Sequence, residues 1–261
     1  MTTTAGIDMG IEYVKAVVLR DGQVAGRGRG LSGGARRSEA ARAALADALT
    51  EAGLSGGELD GTAATGKGKF DLDFVDKQIT ESIAAAKAAR YLYPEATCAM
   101  DAGCDEILVL TYGYGDKLRE TAINEKCAAG VGGFLQRMAR RLELSLEEMS
   151  ALPPMAPGGP AVNDGCVVFA EMDALSLLNQ RVSPVEVASA VTDAAAIRAC
   201  TVVNDITTPA LDRVVLFGGL TKNKAFVEAL EARSGVSFLI PEDADYGGAI
   251  GAALIAAAGK E

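Results

Sequence analysis

Histidine is absent from the 261 residues of this chain. Imidazole is the usual base that activates a serine or cysteine nucleophile, and it is a frequent metal ligand. Its absence excludes Ser-His-Asp and Cys-His catalysis and every imidazole metal site. The chemistry of this chain must therefore rest on carboxylates, thiolates, lysines and backbone amides.

The chain also lacks a long apolar run and an excess of positive charge. No window reaches the roughly 20 apolar residues that a membrane span needs, and the first residues, Met1 to Gly6, contain no basic segment followed by an apolar one. A formal net charge of -10 argues against nonspecific binding to nucleic acid or anionic membranes. We therefore expect a cytoplasmic protein whose partners are small molecules or other proteins.

Two common nucleotide-binding motifs are missing as well. The chain contains neither G-x-x-x-x-G-K-[ST] nor a G-x-G-x-x-G that opens a helix after its first strand. Neither a P-loop enzyme nor a Rossmann dehydrogenase is therefore supported. Gly28, Gly30, Gly33 and Gly34 have unsuitable surroundings for either motif, and we predict that they form a surface loop.

One strand-turn-strand pattern, in contrast, is present twice. Ile7-Asp8-Met9-Gly10 precedes the apolar run Val14 to Leu19, and Met100-Asp101-Ala102-Gly103 precedes Ile107 to Thr111. Each copy places Asp-x-Gly between two predicted strands. This duplication indicates two related subdomains.

Further strands and helices are predicted around these two hairpins. A strand at 62–65 runs into Gly66, and a buried strand at 213–217 ends in Gly218-Gly219. The predicted helices cover 38–52, 80–92, 134–142, 167–178 and 184–203, with shorter helices beginning at Ser145 and Gly247.

The repeated turns carry residues that suit a nucleoside triphosphate. Glycine turns let backbone N–H groups approach phosphate oxygens, and carboxylates hold Mg²⁺ through its waters. One Asp-x-Gly is a common turn, but two copies at the same place in two similar units favour a binding role. We expect Asp8, Gly10 and Lys15 to face Asp101 and Gly103 across a cleft. The Gly218-Gly219 pair would add an approach point for adenine or ribose.

The five cysteines are irregularly spaced and do not indicate a disulfide framework. Cys98, Cys104 and Cys200 lie in apolar surroundings and are predicted to be small buried side chains. Cys127 and Cys166 differ, because each lies beside glycines at the start of an apolar run. A cubane iron-sulfur cluster is normally held by four thiolates. Two suitable cysteines must therefore have another use or be completed by two more, which a symmetric dimer would supply.

Seven segments, in chain order, carry a family resemblance. They are Gly6 to Gly10, Ala64 to Gly66, Asp76 to Glu81, Asp101 to Gly103, Lys126 to Gly130, Cys166 to Glu171 and Phe217 to Gly219. Together they resemble the BadF/BadG/BcrA/BcrD-type ATPase family, which contains the 2-hydroxyacyl-CoA dehydratase activators and the ATPase subunits of benzoyl-CoA reductase. The two cysteine segments are specific to this group within the larger actin, hexokinase and Hsp70 superfamily.

The resemblance implies an α/β fold of duplicated actin/hexokinase/Hsp70-like (ribonuclease H-like) domains with a nucleotide cleft between them. The first domain would comprise residues 1–96, with the helix in 247–261 returning to it. The second would comprise residues 97–246 and carry the cluster cysteines.

The resemblance also implies cofactors and site residues. One 4Fe-4S cluster would bridge Cys127 and Cys166 of both chains in a homodimer, or in a heterodimer with a paralogous ATPase subunit, with Ala128, Ala129 and Gly130 as N–H donors. ATP and Mg²⁺ would be bound by each chain. The catalytic residues would be Asp8, Asp101 and Asp105, and the cofactor-binding residues would be Gly10, Lys15, Gly66, Gly103, Gly130, Gly132, Gly218 and Gly219.

The implied activity is ATP-driven electron transfer at very low potential. The electron would come from a ferredoxin or flavodoxin and pass to an acyl-CoA dehydratase or reductase. Two departures from the family pattern, Glu12 in the first turn and Cys104 in place of the usual glutamine in the second, predict slow hydrolysis or a paralogous partner that hydrolyses ATP.

Two other functions are compatible with the same fold. A sugar or acyl kinase would use Asp101 or Asp105 as a base, and its cysteines would be core residues. A non-catalytic nucleotide-binding subunit would have the fold without hydrolysis. An iron-sulfur cluster in the purified protein would separate the electron activator from both.

Overall fold

The structure is a computed structural model that describes residues 1–55, 58–113, 117–124, 130–207 and 211–258. The chain divides into two compact units. The first unit comprises Met1–Ala96 and Asp245–Glu261, and the second comprises Thr97–Ala244.

The first unit contains a five-stranded sheet in the order β3-β2-β1-β4-β5. Its strands are β1 (Thr3–Met9), β2 (Tyr13–Arg20), β3 (Gln23–Leu31), β4 (Gly61–Thr65) and β5 (Lys77–Gln78). The neighbours β3, β2 and β1 are antiparallel, whereas β1, β4 and β5 are parallel. The predicted opening hairpin is thus confirmed.

The second unit repeats this sheet. Its strands are β6 (Cys98–Ala102), β7 (Ile107–Tyr112), β8 (Leu118–Ile123), β9 (Val214–Phe217) and β10 (Phe238–Leu239). The order is β8-β7-β6-β9-β10, with antiparallel pairing on one side of β6 and parallel pairing on the other. In this arrangement β6 corresponds to β1 and β9 corresponds to β4.

Among the described residues, three helices belong to the first unit. They are α1 (Arg37–Glu51), α2 (Glu81–Leu92) and α8 (Gly247–Ala257). Helices α1 and α8 pack on the sheet, and α2 packs against α8. A Cβ on Gly6 of β1 would lie 2.0 Å from the carbonyl oxygen of Ala249 in α8, and one on Gly251 would lie 1.9 Å from that of Ala84 in α2. Small residues at these positions therefore allow the backbone of α8 to pack closely on β1 and on α2.

The glycines at 28 and 30 correct a prediction. The expectation of a surface loop is wrong for Gly28 and Gly30, because both lie within β3. A Cβ on Gly28 would lie 1.8 Å from the carbonyl oxygen of Ala44, so α1 packs on this strand without room for a side chain. Gly33 and Gly34 are exposed and precede α1 outside the sheet.

In the described part of the second unit, the structure has five helices. They are α3 (Gly132–Arg141), α4 (Leu146–Ser150), α5 (Val167–Asn179), α6 (Pro184–Asn204) and α7 (Lys224–Ser234). The longest, α6, is buried along most of its length and packs against α3, α5 and α7. It begins with a capping box in which Ser183 and Glu186 bond reciprocally, and the hydrogen bonds from Ser183 lower the pKa of Glu186. All helices predicted from the sequence are present within one or two residues.

Across the described ranges, no helix combines the length and the apolar character that crossing a membrane would require.

Candidate functional site

The first Asp-x-Gly turn places a carboxylate against a lysine. Asp8 lies near the end of β1 and is paired in register with Lys15 of β2. The Lys15 Nζ lies 3.2 Å from the Asp8 Oδ2, and the two side chains are only 15% and 18% exposed. Gly10 closes the turn, since a Cβ there would lie 2.7 Å from the carbonyl oxygen of Tyr13. Asp8 and Lys15 therefore form a mostly buried ion pair at the C-terminal end of β1.

Two backbone segments lie directly against the Asp8 carboxylate. Gly66, which follows the parallel strand β4, has φ of 87°, and a Cβ there would lie 2.6 Å from both the Asp8 Oδ1 and the Met9 carbonyl oxygen. Gly248, in the first turn of α8, would place a Cβ 3.2 Å from the Asp8 Cγ. With no side chains at these two positions, backbone groups can approach a ligand bound at Asp8.

The second unit repeats this contact with different residues. Asp101 lies near the end of β6, and Gly218 follows the parallel strand β9 with φ of 94°. A Cβ on Gly218 would lie 2.5 Å from the Asp101 Oδ1 and 2.3 Å from the Ala102 carbonyl oxygen. Gly219 has no heavy atom within 4 Å of its Cβ position, so its backbone borders open space. The duplication thus extends from the strand order to the carboxylate–glycine contact.

The two turns differ in the residue opposite the carboxylate. Asp101 is paired in register with Leu108, whereas the equivalent partner of Asp8 is Lys15. Gly103 donates its N–H to the Glu106 carbonyl oxygen at 2.9 Å, and this tight turn contains Asp105. The register partner of the turn carboxylate is therefore a lysine in the first unit and a leucine in the second.

Gly130 and Gly132 lie against the second turn. A Cβ on Gly130 would be 2.1 Å from the carbonyl oxygen of Cys104, and one on Gly132 would be 2.8 Å from that of Gly103. The N–H of Gly132 donates to the Gly103 carbonyl oxygen at 3.3 Å, and that of Gly133 donates to the Cys104 carbonyl oxygen at 2.8 Å. Packing against this turn alone accounts for glycine at 130 and 132.

Of the two candidate cluster ligands, the structure describes one. Cys127 lies outside the described residues, as do Ala128 and Ala129. Cys166 is the N-cap residue of α5 and is partly exposed. Its N–H donates to the Asn163 Oδ1 at 2.6 Å, and the N–H of Gly165 donates to the same atom at 3.0 Å. The Asn163 side chain therefore fixes the turn that presents Cys166.

Arg198 of α6 also stabilises the turn that presents Cys166. Its Nη2 donates to the Asn163 carbonyl oxygen at 2.9 Å, and its Nε donates to the Asp164 carbonyl oxygen. Its guanidinium also lies over the Phe134 ring of α3, 4.4 Å from the ring centre. Neither Asn163 nor Arg198 was identified from the sequence, because their roles depend on contacts that only the folded chain brings together.

An ion-pair cluster joins the two helices that follow the cysteine segments. Glu171 of α5 lies 3.3 Å from the Arg137 Nε and 3.5 Å from the Arg141 Nη2, both on α3. Glu171 belongs to the family-specific segment that begins at Cys166. Its contacts provide a structural reason for an acidic residue at that position.

The remaining thiols fit structural roles. Cys98 and Cys200 are buried, and burial raises the pKa of each, which keeps the thiol protonated. Cys104 is only half-buried in the turn after β6, so the prediction of a buried side chain is wrong for it. In the part of the chain that the structure describes, no three acidic or cysteine side chains cluster in a way that could hold a metal ion.

Comparison with known proteins identifies the family. Residues 5–256 match the BadF/BadG/BcrA/BcrD ATPase family, so the chain belongs to this family of ATPases and the resemblance is confirmed. An activator of lactoyl-CoA dehydratase from Anaerotignum propionicum is 34% identical over 260 residues, covering 97% of this chain and 96% of the relative.

Solved structures agree with this assignment. Component A of (R)-2-hydroxyglutaryl-CoA dehydratase from Acidaminococcus fermentans matches with a TM-score of 0.87 and 27% identity over 98% of both chains. The activator of 2-hydroxyisocaproyl-CoA dehydratase from Clostridium difficile, solved with bound ADPNP, matches with a TM-score of 0.84 and 26% identity, covering 98% of this chain and 94% of that one. A ROK family glucokinase from Streptomyces griseus, 14% identical with a TM-score of 0.60 and covering 98% and 100%, shares the fold alone. The predicted fold class is confirmed.

The close contact between each carboxylate and its glycine predicts that replacing the glycine by alanine lowers the stability of the fold considerably. Gly66→Ala and Gly218→Ala should each lower the free energy of unfolding by about 2 kcal/mol more than Gly53→Ala and Gly235→Ala, measured by chemical denaturation. All four glycines have positive φ, but a Cβ at Gly53 or Gly235 meets no heavy atom within 4 Å. The control pair therefore reports backbone strain alone. Equal losses in the four variants would contradict the close contact.

Proposed function

We propose that the chain is an ATP-driven electron activator whose partner is an acyl-CoA dehydratase or a reductase of the benzoyl-CoA type. Family membership and the activators named above support this proposal. The observation that carries it is the position of Cys166, held at the N-terminus of α5 beside an exposed apolar face. That combination suits a thiolate ligand at a contact between two chains.

The two units correspond, in this proposal, to the two actin-like domains inferred from the sequence, 1–96 with 247–261 and 97–246. Asp8 and Asp101 act on ATP and its Mg²⁺, with Asp105 as a third carboxylate. Carboxylates suit this role because Mg²⁺ retains several of its waters, and carboxylate oxygens can accept hydrogen bonds from those waters. Lys15, 3.2 Å from Asp8, adds a positive charge for a phosphate oxygen.

Glycines supply the second part of the proposed nucleotide site. Gly10, Gly66 and Gly103 lie in or against the two Asp-x-Gly turns, where backbone can approach a phosphate. Gly218 and Gly219 leave backbone accessible beside Asp101 for the nucleoside. Gly130 and Gly132 act indirectly in this scheme, because they brace the turn at 103–105.

Cys127 and Cys166 of two chains are the proposed ligands of one 4Fe-4S cluster. Such a cluster supplies one-electron transfer at low potential and requires four thiolates. The fit rests on the Cys166 turn. The thiol is partly exposed, and Asn163 fixes its backbone at the N-terminus of the 13-residue helix α5.

The exposed face of α5 supports contact with a second chain. Val168, Phe169, Met172 and Leu175 lie along one side of the helix and are 64%, 57%, 59% and 45% exposed. The opposite side, with Ala170 and Ala174, is buried in the core. Covering a side chain of this size contributes about 1 kcal/mol when half of its surface is removed from water. A second copy, or a paralogous subunit of the same family, would cover this face and add the missing thiolates.

The electron donor in this proposal is a ferredoxin or flavodoxin, and the acceptor is the dehydratase or reductase. A sugar or acyl kinase is the second candidate, since the fold is shared with a glucokinase. It leaves the supported Cys166 turn and the apolar face of α5 without a role. The electron activator accounts for both.

The two turn carboxylates should control ATP hydrolysis. We expect Asp8→Asn and Asp101→Asn each to lower the Mg-ATP turnover by about a hundredfold, since each removes a charge that orders the metal and phosphates. The iron content should stay at the wild-type value. Asp73→Asn is the control, because Asp73 is an exposed partner of Arg42 with 81% of its side chain accessible. Wild-type turnover in both turn variants would refute the assignment.

Iron analysis tests the cluster ligands. Anaerobically purified wild-type protein should be brown and contain about four iron atoms per two chains. Cys127→Ala and Cys166→Ala should each lose the iron and retain the circular dichroism spectrum of the folded protein. Cys200→Ala should keep the iron, since Cys200 is a buried thiol. A full cluster in both Cys127→Ala and Cys166→Ala would rule out the proposed bridging site.

The apolar face of α5 should govern association. Phe169→Ser with Met172→Ser is expected to shift the protein toward the monomer and to lower the iron content, as measured by analytical ultracentrifugation and iron assay. Folding should be preserved, because both side chains are more than half exposed. Phe70→Ser, at an exposed phenylalanine of the first unit, should leave the association unchanged. A double variant that associates and binds iron like the wild type would show that this face is not the contact.

A further inference from the structure

One row of polar residues crosses the sheet of the first unit beside the Asp8 turn. Arg29 of β3, Lys15 of β2, Asp8 of β1 and Thr65 of β4 are successive register partners. Register partners on neighbouring strands direct their side chains to the same face of the sheet. We call these four residues the polar row.

The face that carries the polar row is the one covered by α8. Gly248 of α8 lies against Asp8, and the Thr4 hydroxyl, four residues before Asp8 on the same strand, donates to the Ala253 carbonyl oxygen at 2.9 Å. On β4, a Cβ on Gly61 would lie 3.2 Å from the Ala256 carbonyl oxygen. Since strand residues four apart share a face, Thr65 lies on this side too. The row therefore runs beneath the N-terminal end of α8.

Three of its members have charged partners within the first unit. Arg29 pairs with Asp245 at 3.3 Å, and Lys15 pairs with Asp8 at 3.2 Å. Thr65 is different. Its residue is 1% exposed, and its Oγ1 has no hydrogen-bond partner among the residues that the structure describes. Buried hydroxyls are normally hydrogen-bonded, so an unpartnered one in register with a mostly buried charge pair is a candidate binding group.

The second unit shows that this hydroxyl is not required by the architecture. There the corresponding row consists of Ile123, Leu108, Asp101 and Phe217, with Phe217 fully buried in the place of Thr65. The same strand order and the same carboxylate–glycine contact are thus built with an apolar residue. A hydroxyl at this position is therefore not needed to build the sheet.

We propose that the Thr65 hydroxyl is a binding group for the polyphosphate of Mg-ATP, acting beside Asp8 at the end of β4. It donates a hydrogen bond to a phosphate oxygen or accepts one from a Mg²⁺-bound water. This inference rests on the proposed ATPase function. It also distinguishes the two turns: Lys15 and Thr65 are the register neighbours of Asp8 in the first turn, whereas Leu108 and Phe217 are those of Asp101 in the second.

The test compares two isosteric substitutions. Thr111 of β7 provides the control, because it is also 1% exposed and its Oγ1 also lacks a hydrogen-bond partner among the described residues. Thr111 pairs with Cys98, at the end of β6 opposite the Asp101 turn. Thr65→Val and Thr111→Val therefore remove equivalent buried hydroxyls, one at the site and one remote from it. Thr65→Ser keeps the hydroxyl.

Dissociation constants for a non-hydrolysable ATP analogue, measured by titration calorimetry with Mg²⁺, are the first readout. Thr65→Val should raise the constant about tenfold or more, the loss expected for one hydrogen bond to a charged ligand. Thr111→Val and Thr65→Ser should remain within about twofold of the wild type. Repeating the titration in EDTA identifies the group that the Thr65 hydroxyl contacts. If the Thr65→Val constant divided by the wild-type constant is undiminished without Mg²⁺, the contact is to a phosphate oxygen. If that ratio falls to near one, the contact is to the metal-bound water.

Thermal unfolding supplies a readout that does not depend on activity. Without nucleotide, Thr65→Val should melt no lower than the wild type, because it removes an unpartnered hydroxyl. With Mg²⁺ and the analogue, its melting temperature should rise less than that of the wild type. Binding by Thr65→Val equal to the wild type, or binding by Thr65→Ser as weak as that by Thr65→Val, would overturn the proposal. Failure of the wild type to bind nucleotide would instead refute the proposed function.

Discussion

The contact between a strand-end carboxylate and a glycine from the neighbouring parallel strand is the constraint on which both units depend. Gly66 and Gly218 place their Cα hydrogens where any side chain would strike Asp8 or Asp101. Each must also adopt positive φ immediately after its strand. The sheet order follows this requirement, since β1 with β4 and β6 with β9 must be adjacent and parallel. The repeated topology is the framework that presents these two carboxylates.

The duplication conserves backbone geometry while its side chains differ. Lys15 and Thr65 flank Asp8, whereas Leu108 and Phe217 occupy the corresponding positions beside Asp101. A carboxylate between a lysine and a hydroxyl can hold both phosphate and hydrated metal. The carboxylate of Asp101 instead has an apolar register neighbour on each side. The two turns are therefore equivalent in shape and unequal in chemistry.

Local sequence signals predicted most of the elements and only part of the site. Apolar runs next to glycine turns indicated the strands, and the helix predicted to begin at Ser145 is present with Ser145 as its N-cap. The prediction for Gly28 and Gly30 was wrong because it used only neighbouring residues. Glycine is needed at 28 because α1, which begins at Arg37, packs closely on this strand. Edge strand β8 was missed because its residues are mostly polar and exposed. The support that Arg198 gives the Cys166 turn spans more than 30 residues, and no local pattern encodes it.

Within the second unit, a continuous set of contacts leads from the Asp101 turn to Cys166. The turn residues Gly103 and Cys104 accept hydrogen bonds from the first residues of α3. Farther along, α3 is tied to Glu171 of α5 by two arginines, and its Phe134 packs under the guanidinium that holds the Cys166 turn. Packed helices move as discrete bodies, because close-packed interiors do not deform continuously. A shift of the 103–105 turn would therefore move α3, and α3 would carry α5 and its N-terminal thiol with it. This connection gives the proposed coupling of ATP hydrolysis to electron transfer a physical route through one rigid part of the chain.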